Sequence, residues 1–262
     1  MPPLLGSRSP RLDAVRGLLH KKGRAEQRRF AVEGITLVQE ALQVDRTPEA
    51  VYVTEAGLAT LGALAEGFED RLFIVPPDAM GRLSDLETPP GIVAVYPSRL
   101  GALDELLSDG MPGLVLGGIA DPGNAGTLLR SADIFGLRNV VFAENAVEPY
   151  NPKLVRATMG AIFRLELAIS TAEDLAAQAA RHAYSIVVAD RSGSPLPHFI
   201  FPGKSLLVVG HERRGAQAWL KQADYAVAIP QTGAGQSLNA AVAGSIVMYA
   251  FSQQFSSRNA GS

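Results

Sequence analysis

The feature that most constrains this chain is a regular alternation of short aliphatic runs and helical stretches through its second half. The runs are residues 114–116, 139–142, 185–189, 206–209 and 226–229. Runs of this length and composition are typical of strands buried on both faces of a sheet. Helices are predicted between them, at about 124–135, 152–162, 172–182 and 213–221, with a last helix at about 237–252. The alternation predicts a parallel sheet, which binds ligands at the carboxyl ends of its strands.

The first half of the chain alternates too, with shorter elements. The sequence predicts helices over 8–20, 33–42 and 57–65, and strands over 30–32, 50–53, 72–75 and 92–96. This pattern is typical of a small α/β domain. Because residues 97–112 are rich in proline, glycine and aspartate, we place a boundary there. We therefore predict an N-terminal domain over 1–105 and a C-terminal domain over 106–262.

Composition excludes several classes of protein. Hydrophobic residues make up 47% of the chain and charged residues 19%, as in ordinary globular proteins. The chain has no cysteine, which excludes disulfide scaffolds, thiol nucleophiles and cysteine-bound zinc. No apolar run reaches the roughly 18 residues that span a bilayer. The first eleven residues lack the apolar segment of a secretory signal, so we expect a cytoplasmic protein with no membrane partner.

A basic cluster stands out against the net charge of −2. Between residues 8 and 29 there are two acidic residues and eight basic ones, Arg8, Arg11, Arg16, Lys21, Lys22, Arg24, Arg28 and Arg29. Such a patch can contact nucleic-acid phosphates, although a solvated helix face has the same composition.

The first of three motifs runs from Gly117 to Arg130, where a strand ends, a turn follows and a helix begins. Asn124 is a suitable N-cap for that helix. Arg130 lies six residues further, roughly 9 Å along the helix. Its side chain is interpreted either as a solvated surface group or as a clamp for a phosphate or ribose.

The second motif is the turn that follows the strand over 206–209. Gly210 ends the strand and Glu212 follows at the mouth of the sheet, where it either complements a helix dipole or has a functional role. His211 beside Glu212 does not predict a metal site, because no second histidine follows four residues later. We therefore expect no metal.

The third motif begins with Ile229 and Pro230 at the end of a strand and continues through a glycine-containing loop. Ser237 is predicted to cap a helix rich in small residues, which indicates close packing against another element or a second subunit. Asn239 is predicted to be a buried polar residue in the first turn, in need of partners.

Together, in this order, the three motifs resemble the SpoU/TrmH family of RNA ribose 2′-O-methyltransferases, within the SPOUT superfamily. The residues that match are Asn124, Gly126 and Arg130, then Gly210 and Glu212, then Ile229, Pro230, Ser237, Leu238 and Asn239. The stretch Arg156–Ala161 is similar to a further segment of the family. The resemblance covers about residues 112–253, and residues 30–34 resemble the start of the family's N-terminal substrate-binding domain.

The resemblance implies a parallel sheet tied in a trefoil knot, with S-adenosylmethionine held near Gly210, Ile229, Pro230, Ser237 and Leu238. It also implies a homodimer whose site is completed across the interface. The catalytic residues would be Arg130 beside the ribose hydroxyl, Asn124 and Asn239 positioning the ribose and the arginine, and Glu212 orienting loop or arginine groups. The chain departs from the family at His211 and Arg213, which make the second loop bulkier and more cationic.

Ribosomal RNA is the expected substrate, because the family's transfer-RNA enzymes commonly lack a separate N-terminal domain. The alternatives are a transfer-RNA 2′-O-methyltransferase, a catalytically silent RNA-binding knot protein and a nucleotide-dependent oxidoreductase. The last is disfavoured, because no G-x-G-x-x-G motif follows a predicted strand.

Overall fold

The computed structural model of this protein describes residues 2–211, 216–235 and 237–259. The chain forms two compact units. The first unit comprises Met1–Ser98 and Tyr150–Phe163, and the second comprises Arg99–Pro149 and Arg164–Ser262. The chain thus leaves the second unit to contribute one segment to the first, and nothing in the local pattern of that segment predicts this return.

The elements are given in chain order. The strands are β1 (Arg29–Glu33), β2 (Ala50–Val53), β3 (Leu72–Ile74), β4 (Ile92–Pro97), β5 (Gly113–Gly117), β6 (Asn139–Ala143), β7 (Glu166–Ser170), β8 (Ser185–Pro195), β9 (Ser205–Gly210) and β10 (Tyr225–Ala228). The helices are α1 (Pro10–Gly17), α2 (Lys21–Gln27), α3 (Ile35–Leu42), α4 (Glu55–Leu61), α5 (Pro77–Arg82), α6 (Leu103–Ser108), α7 (Pro122–Ile134), α8 (Pro152–Ala157), α9 (Ala172–Arg181), α10 (Gln217–Leu220) and α11 (Ala240–Asn259). Across the described part of the chain, no helix combines the length and apolar character needed to cross a bilayer.

The first unit is built on a four-stranded sheet with the order β1-β4-β2-β3. β4 is antiparallel to both β1 and β2, whereas β3 is parallel to β2. Leu12, Val15 and Leu18 are buried in one cluster with Val75 and Met80. The prediction of a small N-terminal α/β domain is confirmed.

The helix predicted over residues 8–20 is shorter in the structure, and a second helix, α2, begins at Lys21 beyond the predicted range. α1 ends at Gly17, and a Cβ on Gly23 of α2 would lie 2.2 Å from the carbonyl oxygen of Gly17, so the helices meet at two glycines. The buried Arg24 donates from Nη1 to the carbonyl oxygen of Leu18 at 2.8 Å. This side chain satisfies a carbonyl group that the end of α1 leaves without a helical partner.

The second unit is built on a six-stranded sheet with the order β10-β8-β9-β5-β6-β7, and every pairing in it is parallel. Its central strands are fully buried, as Leu114, Val140 and Val208 show with 0% exposure. This confirms the parallel α/β sheet that the alternation predicts. The trefoil knot stays a prediction.

The aliphatic pattern fails to predict β7, which lies at one edge of this sheet. Leu167 and Ala168 are buried, but Glu166 is exposed and Ile169 is 46% exposed. Because an edge strand is covered on fewer sides than a central one, its sequence lacks the continuous aliphatic run that marks the other strands.

The helix predicted over residues 152–162 ends at Ala157. Met159 and Gly160 then take positive φ values of 48° and 94°, which a helix does not accommodate. A Cβ on Gly160 would lie 2.5 Å from the Cβ of Glu40, so this turn requires glycine to pack against α3 within the first unit.

Candidate active site

The first motif lies in the turn between β5 and α7. Asp121 is the N-cap of α7, since its Oδ1 accepts a hydrogen bond from the backbone N–H of Asn124 at 2.8 Å. Pro122 occupies the first helical position, where a missing N–H costs nothing. The prediction that Asn124 caps this helix is therefore wrong. Asn124 lies in the first turn with a half-buried side chain, which makes a different contact.

The third motif leads into α11, which begins at Ala240. Asn239 caps this helix, because its Oδ1 accepts from the backbone N–H groups of Ala241 at 2.8 Å and Val242 at 3.2 Å. The predictions that Ser237 is the cap and that Asn239 is buried are both wrong, since the helix starts later and both side chains are exposed.

The two asparagines meet. Asn239 Nδ2 donates to Asn124 Oδ1 at 2.9 Å. Because Asn239 Oδ1 already accepts from two backbone N–H groups, its amide nitrogen faces Asn124 as the donor. The bond joins the first motif to the third and holds the start of α7 against the start of α11.

Close packing of α7 on α11 supports this contact. A Cβ on Gly244 would lie 2.5 Å from Leu128 Cδ2 and 2.8 Å from Val209 Cγ2, so α11 approaches both α7 and β9 at a position where a side chain does not fit. Ser245, the next residue of α11, forms a hydrogen bond with Ser131 of α7, and their hydroxyl oxygens lie 2.7 Å apart. The small residues of α11 thus pack against elements of the same chain.

Arg130 lies on α7, six residues beyond Asn124. Leu128 and Leu129 before it are buried, whereas its own side chain is exposed. Its guanidinium forms no hydrogen bond or ion pair with any residue that the structure describes. Five N–H donors on a planar group are therefore left for a ligand.

The second motif is described only in part. Gly210 ends β9 and pairs in register with Gly117 at the end of β5. Glu212, together with Arg213 and Arg214, lies outside the described residues. Its role as a site residue stays a prediction.

The other residues predicted at the cofactor follow β10. Ile229 is half-buried, whereas Pro230, Ser237 and Leu238 are exposed, Leu238 at 42%. Since β10, β8, β9 and β5 are successive parallel strands, their carboxyl ends lie along one edge of the sheet. Gly210 and Ile229 therefore follow strands at the same edge, and Leu238 immediately precedes the Asn239 cap.

Two further side chains at this edge were not predicted. A Cβ on Gly117 would lie 2.7 Å from Trp219 Nε1, and a Cβ on Gly118, which has a φ of 97°, would lie 3.2 Å from Asn145 Nδ2. Two consecutive glycines after a strand are a signal that something approaches closely, but they do not identify the approaching group.

The family-like stretch Arg156–Ala161 belongs to the first unit, where Arg156 neutralises two carboxylates. Its Nη1 lies 3.1 Å from Glu33 Oε1, and the guanidinium holds both oxygens of Asp85, at 2.5 and 3.1 Å. Ser84 donates to the other oxygen of Glu33. Burial raises the pKa of Glu33, and the Arg156 hydrogen bonds lower the pKa of Asp85. Within the described ranges, no group of histidine and acidic side chains is arranged to hold a metal ion.

Two family models match this chain. The model described as the SpoU rRNA methylase family matches residues 112–249, and the model described as an MRM3-like substrate-binding domain matches residues 9–94.

Curated and solved relatives are similar over most of the chain. A 23S rRNA (uridine(2479)-2′-O)-methyltransferase from Streptomyces viridochromogenes is 34% identical, covering 70% of this chain and 68% of the relative. The 23S rRNA (guanosine(2553)-2′-O)-methyltransferase RlmP of Bacillus subtilis is 29% identical, covering 87% and 90%. The crystal structure of the SpoU methyltransferase AviRb from Streptomyces viridochromogenes with AdoMet has a TM-score of 0.82 and 28% identity, covering 94% of this chain and 98% of that one.

Proposed function

Because this chain belongs to the SpoU rRNA methylase family, we propose that it transfers a methyl group from S-adenosylmethionine to a ribose 2′-hydroxyl of ribosomal RNA. The observation within the molecule that supports this function is the hydrogen bond between Asn239 and Asn124. This bond joins the first and third motifs at the carboxyl edge of the sheet. Asn124 lies on α7, the helix that also carries Arg130.

The residues at this edge fit the methyl donor. Gly210 leaves the end of β9 without a side chain, and Leu238 presents an exposed apolar surface that suits an adenine ring. Ser237 and the backbone around Ile229 and Pro230 offer hydrogen-bonding groups. S-adenosylmethionine carries no phosphate, so no phosphate-binding glycine loop is needed, and when bound it supplies an electrophilic methyl group on a sulfonium.

Arg130 is the residue we place beside the ribose hydroxyl. Its exposed guanidinium has no partner among the described residues, so it can bind the neighbouring phosphate and stabilise negative charge on the 2′-oxygen. Arginine is a poor base, because its pKa is above about 12. We assign removal of the hydroxyl proton to a substrate phosphate held by Arg130.

Asn124 and Asn239 are positioning residues in this proposal. Their mutual hydrogen bond fixes the orientation of both amides before RNA binds, and preorganised groups lose little freedom in the reaction. Glu212 is assigned the orientation of loop or arginine groups.

The activity is tested by incubating the purified chain with ribosomal RNA, transfer RNA and tritiated S-adenosylmethionine. We expect label in ribosomal RNA, in dinucleotides that resist alkaline hydrolysis, because 2′-O-methylation blocks cleavage at the adjacent phosphate. Label in transfer RNA alone would favour the transfer-RNA alternative. S-adenosylmethionine binding without label in either RNA would favour the catalytically silent alternative.

The first unit is assigned the capture of RNA. Arg24 is buried and serves α1, and Arg29 is paired with Glu49, so these two members of the basic cluster have structural partners. The exposed members are Arg8, Arg11, Arg16, Lys21, Lys22 and Arg28, together with the partly paired Arg29. Changing Lys21, Lys22 and Arg28 to glutamate should weaken RNA binding and flatten its salt dependence. A ribosomal RNA substrate supports a cytoplasmic location.

We propose that the protein forms homodimers through α11 and α7. Val242, Ile246 and Tyr249 recur at helical spacing and are 47%, 37% and 53% exposed, and Ile134 of α7 is 75% exposed. An apolar face of this kind is typical of a protein interface, and it belongs to the helices that carry Asn239 and Arg130. Ile246→Glu should give monomers in light scattering and reduce methylation. A monomeric wild-type chain would contradict this assignment.

A further inference from the structure

A cleft of about 800 Å³ opens in the first unit. It lies where β2 and β3 end and where α4 and α5 begin. Its walls include four prolines and the residues Thr54, Glu55, Ala56, Thr60, Ile74 and Gly81. Clefts of this size, apolar with a few polar groups, are typical of sites for small ligands.

The charges in the cleft define what it can bind. None of its lining residues is a cation, so it does not suit a phosphate. Glu55 contributes the one carboxylate of the lining, and Thr54 and Thr60 add hydroxyls that already bond to the backbone of α4. The cleft therefore favours an uncharged, largely apolar group with hydrogen-bond donors along one edge.

A cation lies beside the lining in the chain rather than within it. Arg82 follows Gly81 directly and donates to the carbonyl oxygen of Ser7 at 2.7 Å. Arg82 is exposed, so it is the cation nearest in the chain for a phosphate of an RNA whose base enters the cleft.

Addition of a peptide strand is disfavoured here. The outer edge of β3 is already occupied, because Leu5 N donates to Ile74 O at 2.9 Å and Ile74 N donates to Pro3 O at 3.0 Å. Four prolines in the lining have no N–H to offer a peptide backbone.

We propose that this cleft binds an unpaired base of the substrate RNA, with guanine the best match, and that Glu55 reads the edge of the base. The inference rests on the proposed function only in taking RNA as the substrate. Guanine presents adjacent imino and amino N–H groups that suit the two oxygens of a carboxylate, whereas adenine, cytosine and uracil present fewer donors at that edge. Apolar walls around a splayed base and hydrogen bonds to its edge are a general mode of single-strand recognition.

The chain offers a variant that fills the cleft without a clash. Gly81 lines the cleft in α5, and a Cβ there would meet nothing within 4 Å, so Gly81→Leu places a side chain in open space. Gly67 is equally open but is not among the lining residues, so Gly67→Leu is the matched control. Glu55→Gln removes the charge with little change in shape, and Glu66→Gln is its control.

The experiment measures binding of the full chain to fluorescein-labelled RNA heptamers by anisotropy. Each heptamer has six uridines and a central guanosine, adenosine, cytidine, uridine or abasic site. We expect guanosine to bind about tenfold more tightly than the abasic site, the effect of roughly one sequestered base. Gly81→Leu should remove this difference, and Glu55→Gln should reduce the preference for guanosine over adenosine. Both controls should leave binding unchanged.

Equal binding of all five heptamers would overturn the proposal, as would an unchanged preference in Gly81→Leu. A labelled proline-rich peptide that binds wild type but not Gly81→Leu, while no heptamer does so, would assign the cleft to a protein partner and also overturn it. Ala56→Leu replaces Gly81→Leu if the latter fails to fold by circular dichroism. Methylation of ribosomal RNA without a base preference contradicts this inference alone, whereas a base preference without methylation contradicts the proposed function alone.

Discussion

The Asn124–Asn239 pair of the second unit and the Glu33–Arg156–Asp85 cluster of the first are both polar networks between residues far apart in the chain, but their settings differ. The Glu33 side chain is 5% exposed and its charge is balanced by Arg156. The amide of Asn239 is uncharged and exposed. A buried ion cluster is costly to break, whereas an exposed amide pair contributes little to stability and stays accessible to a ligand. The comparison separates a cluster that holds the fold from a pair of amides that we propose to position the substrate.

The largest effect on activity without an effect on stability is expected at Arg130. Arg130→Ala should lower the rate of methylation by about 100-fold or more, because charge on the 2′-oxygen loses its stabilising donor. Binding of S-adenosylmethionine by calorimetry and the thermal midpoint should be nearly unchanged, since the side chain is exposed. Arg138→Ala, another exposed arginine of the second unit, is the control and should retain full activity. Normal turnover in Arg130→Ala would remove Arg130 from the mechanism.

The opposite behaviour is expected at Arg156. Arg156→Met leaves two carboxylates without their cation and should lower the free energy of unfolding by about 2–3 kcal/mol. This is no more than the smallest losses typical of broken buried ion pairs, because the Asp85 side chain is 42% exposed. Urea unfolding measures the change. Adding Glu33→Gln to Arg156→Met should recover part of the loss, because one of the two carboxylates is then neutral. A loss below about 0.5 kcal/mol would show that the cluster does not stabilise the first unit.

The asparagine pair allows capping to be distinguished from positioning. Asn239→Asp keeps an oxygen that caps α11 but cannot donate to Asn124, so methylation should fall about tenfold at nearly unchanged stability. Asn239→Ala should lose the activity and, in addition, about 1 kcal/mol of stability. If Asn239→Asp is as active as wild type, the bond to Asn124 has no role in positioning.

The smallest effect is expected in the pH dependence of stability. Burial raises the pKa of Glu33 above its ordinary value of 4.5, so the folded state binds this proton more tightly than the unfolded state does. Its contribution is therefore fully present below pH 4.5 and is lost as the pH rises through the folded pKa. Asp85, whose pKa is lowered, contributes in the opposite sense and loses its contribution as the pH falls below its ordinary value of 3.8. The free energy of unfolding of Glu33→Gln, measured from pH 4 to 7, should not show the loss assigned to Glu33. The same pH dependence in Glu33→Gln and wild type would contradict this assignment.

Much of the site was predictable because its residues follow strands. Gly210 comes directly after the run 206–209 and Ile229 ends the run 226–229, and parallel strands present their carboxyl ends at one edge. The helix starts were predicted less well. Asp121 before Pro122 is a recognisable cap signal, yet the sequence predicts Asn124 as the cap. It also predicts Ser237 as the cap of the last helix, where the structure has Asn239, because serine and asparagine are both good caps and local sequence does not rank them.

The sequence by itself determined the parallel α/β architecture, the order of the motifs and the family, because strand periodicity and turn chemistry are local properties. Only the tertiary structure decided that Asn239 meets Asn124, that Arg156 neutralises Glu33 and Asp85, and that residues 150–163 return to the first unit. The physical reason is that each of these depends on packing between positions that are dozens of residues or more apart in the chain. No local preference of either partner encodes such a contact.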